Sequence, residues 1–488
     1  MAVSRIVLFA ILARLLMPAD FGLYAACVSI LGILEVITLL GVCPALIQRT
    51  DLNSRHVATA FVLACAFGGA AAAGMWISAD WIARLMKIAP LGEILRAVSP
   101  IFFIRSFSMV GYGLAARDMR FSLITLAELA SFLVYAIATV ILALGGFGYW
   151  SLIVGYVIQH ALYSLIVMLP YSAQLSWRVH RKELGELLRF CFGINVANIA
   201  SYIAGQGDNY VVGRFLGVES LGFYSRAYNL MQTFVTSVIN TLDRVFFPSL
   251  AKLQNDPAGL AKALRLSTAL VWLGYLPLTA LVSVCAPDIV AVLLGPKWTP
   301  MVGTFRILTY GLTFRAGYKM AATILTVQGR TSSMAMTQVV YAILIVLGAA
   351  IGSGRGIEGA AVGVLIALGA NYLLVNFLGF RSVQQRLSEL RHDLLAAVGL
   401  AAALYTSSTV VMQLAIRFEF NPVVRLACVG LAGLGIYLLF FTWFAWALVS
   451  NETMDFLGSL WQSLTARWSK IGRKPGMQRP AETYPTKA

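Results

Sequence analysis

The stretch ARLLMPADFGLY at residues 13–24 is similar to GRFLGVESLGFY at residues 213–224, 200 positions later. Four pairs of identical residues share this offset: Arg14 and Arg214, Leu16 and Leu216, Gly22 and Gly222, Tyr24 and Tyr224. A second register, offset by 210, pairs Arg96, Arg105 and Arg120 with Arg306, Arg315 and Arg330. Matches in two registers and in the same order indicate an internal repeat, so the sequence predicts two related halves.

The composition places both halves in a membrane. Of the 488 residues, 59% are hydrophobic and 12% are charged, and the mean hydropathy is +0.80. Soluble domains carry roughly 25% charged residues. Apolar runs such as 21–47, 57–79 and 423–449 are long enough to cross a hydrocarbon core of about 30 Å as helices. We therefore predict an all-α polytopic membrane protein of about fourteen transmembrane helices.

The repeat sets the predicted domain organisation. We expect an N-lobe at residues 1–175, a C-lobe at 176–385, two additional helices at 386–450 and a basic tail at 451–488. Each lobe is predicted to hold an even number of helices, so the two repeats insert in parallel orientation. The first helix has too few residues before Arg14 to span the bilayer, and we expect it to begin upstream of Met1.

The net charge of +16 lies mostly in the connections between helices. Alternate connections are basic, for example the one with Arg178, Arg181 and Lys182. The positive-inside rule then places both termini of this inner-membrane protein in the cytoplasm. A charge distributed in this way does not indicate a nucleic-acid partner. The six cysteines show no metal-ligand spacing, and we expect neither a metal site nor a cofactor.

Two arginines fall in the middle of predicted helices. Arg105 and Arg315 are equivalent in the repeat, so we expect them to face one groove from opposite halves, with Lys319 one turn after Arg315. Arginine stays charged when it is desolvated and binds phosphate oxygens through a planar fork, so this set suits a diphosphate. The competing interpretation is that Glu35 and Glu128, also in predicted helices, neutralise the two arginines.

Other charged residues are candidates with less decisive positions. Arg14 and Arg214 lie at helix ends, where an arginine either contacts a substrate or extends its guanidinium to the interface. Arg226 contacts the substrate or pairs with Asp208. The candidates for proton or sodium coupling are the intramembrane carboxylates Asp208, Glu35 and Glu128, unless they only neutralise arginines.

Several motifs resemble the bacterial polysaccharide transporter family, the Wzx-type oligosaccharide flippases of the multidrug/oligosaccharidyl-lipid/polysaccharide (MOP) exporter superfamily. They are residues 13–24, ALIQR at 45–49, DNYVVGRFLGVESLGFYSRAY at 208–228, FFPSLAKLQ at 246–254 and LLGPKW at 293–298. The resemblance implies a two-lobed, MATE-like bundle. It also implies alternating-access transport of an undecaprenyl-diphosphate-linked repeat unit for exopolysaccharide, capsule or O-antigen synthesis. The family's cationic cavity suggests Arg105, Arg315 and Lys319 as its residues here. Arg214, Arg226 and Arg14 are further candidates because of their positions in the helices. A polysaccharide polymerase and the chain-length and export machinery are the implied partners.

Two alternative functions stay open. An ion-coupled multidrug antiporter has the same architecture, although a cation exporter needs an acidic cavity. A non-catalytic membrane partner of a polysaccharide synthase does not explain the intramembrane charges. An enzyme is disfavoured because the connections contain no nucleotide-binding loop and no paired carboxylates.

Overall fold

The computed structural model describes residues 2–38, 46–47, 52–192, 195–253, 256–385, 387–450 and 452–454. All regular secondary structure in these ranges is helical. Ten segments within them, between 19 and 37 residues long, are long and apolar enough to cross a membrane. The chain is therefore an all-helical, multi-pass membrane protein, as predicted.

The helices follow one another with short connections. The first half contains α1 (Ala2–Leu15), α2 (Pro18–Thr38), α3 (Ser54–Met86), α4 (Leu91–Val98), α5 (Ile101–Arg117), α6 (Phe121–Leu144) and α7 (Tyr149–Met168). The second half contains α8 (Arg181–Phe192), α9 (Asn195–Leu216), α10 (Val218–Lys252), α11 (Pro257–Leu293), α12 (Val302–Thr309), α13 (Leu312–Val327), α14 (Thr331–Ser353) and α15 (Gly356–Ser382). The last described helices are α16 (Arg391–Arg417), α17 (Pro422–Leu439) and α18 (Ala445–Leu448).

Four of the fourteen predicted transmembrane helices are not among the ten apolar spans, but the structure has helices at their positions too. They are α1, α9, α10 and the pair α12 and α13. The first is only 14 residues long, and the others carry charged residues along their length. The count of fourteen transmembrane helices and the domain boundaries therefore stay predictions. The tail at 451–488 lies outside the described residues, apart from 452–454.

Two helices that the sequence predicts as continuous are broken in the structure. The predicted helix 94–116 is divided into α4 and α5 before Pro100, and the predicted helix 301–327 into α12 and α13 before Gly311. In each case an eight-residue helix precedes a helix of 16 or 17 residues. Proline lacks the backbone N–H that would continue the helix, and glycine is a poor helix former, which explains both breaks.

The two halves meet where α2 lies along α9 and α10. A Cβ atom at Gly22 would run into the Val218 carbonyl, and one at Gly222 would run into the Pro18 carbonyl. The two helices thus approach each other through glycines, as small residues allow in membrane proteins. Tyr202 of α9 extends the contact by donating a hydrogen bond of 2.7 Å to a backbone carbonyl of α2.

The hydrophobic core runs through both halves without a break, and Phe21, Tyr224 and Trp298 are fully buried in it. Large apolar side chains also cover the outside of the molecule, and Ile77, Ile351 and Trp443 are each at least three-quarters exposed. An exposed apolar surface of this kind is stable against lipid. The helices α16 and α17 pack against α11.

Candidate functional site

A cavity of 360 Å³ lies between α1, α2, α6, α7 and α10. Each helix lines it with residues at helical spacing. In α1 these are Arg5, Leu8, Phe9 and Leu12, which share one face of the helix. In α10 they are Arg226 and Asn229, three positions apart. The cavity is thus built by the first half together with one helix of the second half.

The wall of this cavity combines cations with neutral hydrogen-bonding groups. Arg5 and Arg226 are its charged residues, and no carboxylate occurs among the described residues that line it. The neutral polar groups are the amides of Gln159 and Asn229 and the hydroxyls of Tyr24, Tyr135 and Tyr156. Such a site attracts an anion, and its amides, hydroxyls and aromatic rings also suit a sugar.

Arg226 is the distinctive residue of the cavity. Its side chain is buried, and its guanidinium carbon lies 4.8 Å from the ring centroid of Phe21 and 5.3 Å from that of Phe9. The buried Nε has no hydrogen-bond partner. The two aromatic faces offset part of the free-energy cost of desolvating the guanidinium, since a desolvated cation–π contact contributes about 2 kcal/mol. Because the Arg226 guanidinium lines the cavity and keeps its charge, it can bind an anion there.

Arg105 lies beside the cavity and is already paired. Its Nη2 forms an ion pair with the Glu35 carboxylate, and its Nη1 lies 3.5 Å from the Tyr156 hydroxyl, on a residue that lines the cavity. The sequence left open whether Arg105 binds a ligand or is neutralised by a carboxylate. In this structure Glu35 is its partner.

Arg315 belongs to a second polar cluster, in the second half. Its Nη1 donates a hydrogen bond of 2.5 Å to the Tyr228 hydroxyl and its guanidinium lies over the same ring. Nearby, the buried carboxylate of Asp208 accepts a hydrogen bond of 2.8 Å from the Tyr224 hydroxyl. Lys319 is half-buried one turn further along α13.

Three sequence-based expectations differ from this arrangement. Neither Arg105 nor Arg315 is among the residues that line the 360 Å³ cavity. Asp208 and Arg226, both described, do not form an ion pair, because Tyr224 and the Asn209 backbone N–H hold the carboxylate. Glu128 is exposed on α6, and among the described ion pairs none joins it to an arginine.

Arg14 and Arg214 lie away from the cavity, at the ends of α1 and α9. Arg14 is exposed and its Nη2 donates a hydrogen bond of 2.9 Å to the Val292 carbonyl. Arg214 is half-buried over the ring of its neighbour Phe215.

Sequence reasoning missed most of the cavity wall: Arg5, Tyr24, Tyr135, Tyr156, Gln159 and Asn229. Helical spacing within α1 and α10 is a signal that would have joined some of them, but spacing does not show which helices meet.

The described helices and the cavity between them define this protein as a multi-pass helical membrane protein with a basic cavity. Its fold is shared with the lipid II flippase MurJ in its inward closed conformation, at a TM-score of 0.74 and 15% identity, over 91% of this chain and 98% of that one. Residues 11–303 match the family model for polysaccharide biosynthesis protein, and the chain belongs to this family.

Two known proteins are similar to the chain over more than half of its length. The chain is 28% identical over 298 residues to the succinoglycan biosynthesis transport protein ExoT of Rhizobium meliloti, an alignment that covers 60% of each chain. It is 22% identical over 382 residues to the lipopolysaccharide biosynthesis protein WzxC of Escherichia coli, which covers 76% of each chain.

Proposed function

We propose that this protein is a flippase that moves undecaprenyl-diphosphate-linked oligosaccharide repeat units across the bacterial inner membrane by alternating access. The repeat units serve exopolysaccharide, capsule or O-antigen synthesis. The observation that carries this proposal is the cavity in which Arg226 is buried and whose described lining residues include no carboxylate. The relatives support it, because their names place them in succinoglycan transport and lipopolysaccharide biosynthesis.

The proposed role of each lining residue follows from the chemistry of its side chain. Arg226 and Arg5 bind the diphosphate, while Gln159, Asn229 and the tyrosine hydroxyls contact the sugars. Arg105 joins the site if the ligand takes the place of Glu35, because its Nη1 lies 3.5 Å from the hydroxyl of Tyr156, which lines the cavity. Arg315 and Lys319 provide positive potential from the second half.

The proposal includes the arrangement that the sequence predicts. Fourteen transmembrane helices form two parallel halves plus two additional helices, with both termini in the cytoplasm. The reciprocal contacts of Gly22 with Val218 and of Gly222 with Pro18 support the repeat, since each residue and its equivalent are 200 positions apart. Asp208 and Glu35 are the proposed groups for ion coupling, and a polymerase and export machinery are the proposed partners.

A multidrug antiporter is the second candidate for this fold. Its cationic substrates need carboxylates in the cavity, whereas the described lining contains two arginines and none of the acidic residues. The charge of the cavity therefore favours the anionic, lipid-linked substrate. A partner of a synthase that transports nothing would not require a desolvated arginine at all.

A deletion strain tests the proposed function. We expect lipid-linked repeat units to accumulate on the cytoplasmic leaflet and surface polysaccharide to be lost. Complementation with Arg226→Gln should restore less than about a tenth of the polysaccharide, because a charge-assisted hydrogen bond of about 1.5–3 kcal/mol is lost. Arg417→Gln, an exposed arginine at the end of α16, is the matched control and should restore it fully.

Two outcomes would contradict the proposal. One is a deletion strain with normal surface polysaccharide and no lipid-linked intermediate. The other is a strain in which only the resistance to cationic drugs changes, which would favour the antiporter.

A further inference from the structure

The helix α1 supplies four residues to the cavity wall, including Arg5 and Phe9. Its main helix neighbour is α6. A helix of 14 residues gains little stability by itself, so its position depends on tertiary contacts. The contacts that hold its C-terminal end come from the other half of the protein.

Residues 292–298, from the end of α11 into the connection to α12, bind the end of α1. The Lys297 Nζ donates hydrogen bonds to the carbonyls of Arg14, at 2.9 Å, and Leu16, at 2.6 Å. The Trp298 indole N–H donates one of 2.9 Å to the Ala13 carbonyl. These carbonyls belong to the end of α1, where helical N–H donors are missing. An ammonium at this end also interacts favourably with the helix dipole.

The same segment is connected to the buried arginine of the cavity. Trp298 is fully buried and meets the ring of Phe21 edge to face, at 5.3 Å between centroids. Phe21 in turn carries the guanidinium of Arg226 on its face. Burial lowers the pKa of Lys297, and the Asp20 carboxylate acts in the opposite direction.

We propose that Lys297 and Trp298 are positioning residues for the cavity. They hold α1, and through Phe21 the guanidinium of Arg226, in the arrangement that binds an anion. The inference rests on the proposed function, and it adds a residue pair outside the cavity that controls its affinity. Because the bonds join the two halves, separation of the halves at this end breaks them. The cavity then binds the anion more weakly in the state that releases it.

The test measures the position of α1 and the affinity of the cavity separately. Spin labels at Val7 on α1 and Ile137 on α6, both exposed, report the distance between the two helices in a chain whose six cysteines are replaced. Farnesyl diphosphate is the probe for binding to the full chain in nanodiscs. The variants Lys297→Met and Trp298→Phe each remove hydrogen-bond donors and keep an apolar side chain of similar shape.

We expect both variants to broaden the distance distribution and to weaken farnesyl diphosphate binding at least fivefold. Lys297→Arg, which keeps charged donors, should restore most of both. The matched controls are Lys87→Met and Trp81→Phe, exposed residues at the end of α3, which should leave both readouts unchanged.

An unchanged distance distribution together with an unchanged affinity in both variants would overturn the inference. If the wild-type protein does not bind farnesyl diphosphate, the proposed function fails instead. The distance distribution needs no ligand, so it still decides whether Lys297 and Trp298 position α1. An unchanged melting temperature in Trp298→Phe excludes general unfolding as the cause of a shift.

Discussion

The guanidinium charges of Arg105, Arg226 and Arg315 are stabilised inside the protein in three different ways. Arg105 has a carboxylate, and Arg315 has a tyrosine hydroxyl and its ring. Arg226 lies over aromatic faces, and among the described ion pairs none includes it. An ion pair is neutral and needs no further partner. An arginine on aromatic faces keeps its full charge, so an incoming anion adds a new interaction. Residue type alone does not distinguish these cases, because each partner lies on another helix.

The carboxylates within the helices also differ in burial and in hydrogen-bond partners. Asp208 is buried behind the Tyr224 hydroxyl, Glu35 is 23% exposed beside Arg105, and Glu128 is exposed on α6. A carboxylate that faces a polar cluster takes up a proton when its counter-charge moves, whereas an exposed one is not linked to the movement of the two halves.

We therefore expect Asp208→Asn and Glu35→Gln each to reduce proton-coupled transport by about tenfold or more, while Glu128→Gln has little effect. The measurement is proton flux in proteoliposomes, followed with a pH-sensitive dye after addition of the lipid-linked substrate. A loss of flux in Glu128→Gln that equals the loss in the other two would refute this ranking of the carboxylates.

At the scale of the helices, the contact between α2 and α10 depends on two glycines, which have no side chain to hold the helices apart. Gly22 and Gly222 let each helix touch the first turn of the other, so the contact is backbone against backbone. The repeat in the sequence showed these glycines as equivalent positions. It did not show that they lie in one interface, because equivalence in a repeat says nothing about contact.

Gly22→Ala should destabilise the protein by about 1–3 kcal/mol, because the new Cβ forces α2 and α10 apart. The readout is the melting temperature of the purified protein. The matched control is Gly74→Ala in α3, where a Cβ meets nothing within 4 Å. There the better helix propensity of alanine stabilises the helix by up to about 1 kcal/mol. Equal melting temperatures for the two variants would contradict a tight crossing of the helices.

At the scale of the whole molecule, the last two long helices are attached to the second half through α11. Arg425 of α17 donates to the buried carboxylate of Asp288 at 2.8 Å, and the other carboxylate oxygen has no hydrogen-bond partner. These helices extend the bundle on the side of α11 and are not among the elements that line the cavity. Their attachment therefore affects stability more than transport.

Removal of one partner leaves a buried charge, which costs about 3–5 kcal/mol. We expect Arg425→Met to lower the melting temperature clearly, and the double variant Asp288→Asn, Arg425→Met to regain most of the loss. Thermal unfolding of the four proteins of this double-mutant cycle measures the coupling between the two residues. Melting temperatures of all three variants equal to that of the wild type would show that the ion pair does not contribute to stability.

The amino-acid sequence by itself determined the membrane class, most of the apolar spans, the family motifs and the presence of charges within the helices. These properties depend on composition and on patterns within a few turns of helix, which are local. Only the tertiary structure decided which charges have partners and where the cavity lies. The deciding contacts join residues far apart in the chain, such as the bond from Trp298 to Ala13 across 285 positions. Helical periodicity defines the face of each helix, but the packing of helices selects which faces meet.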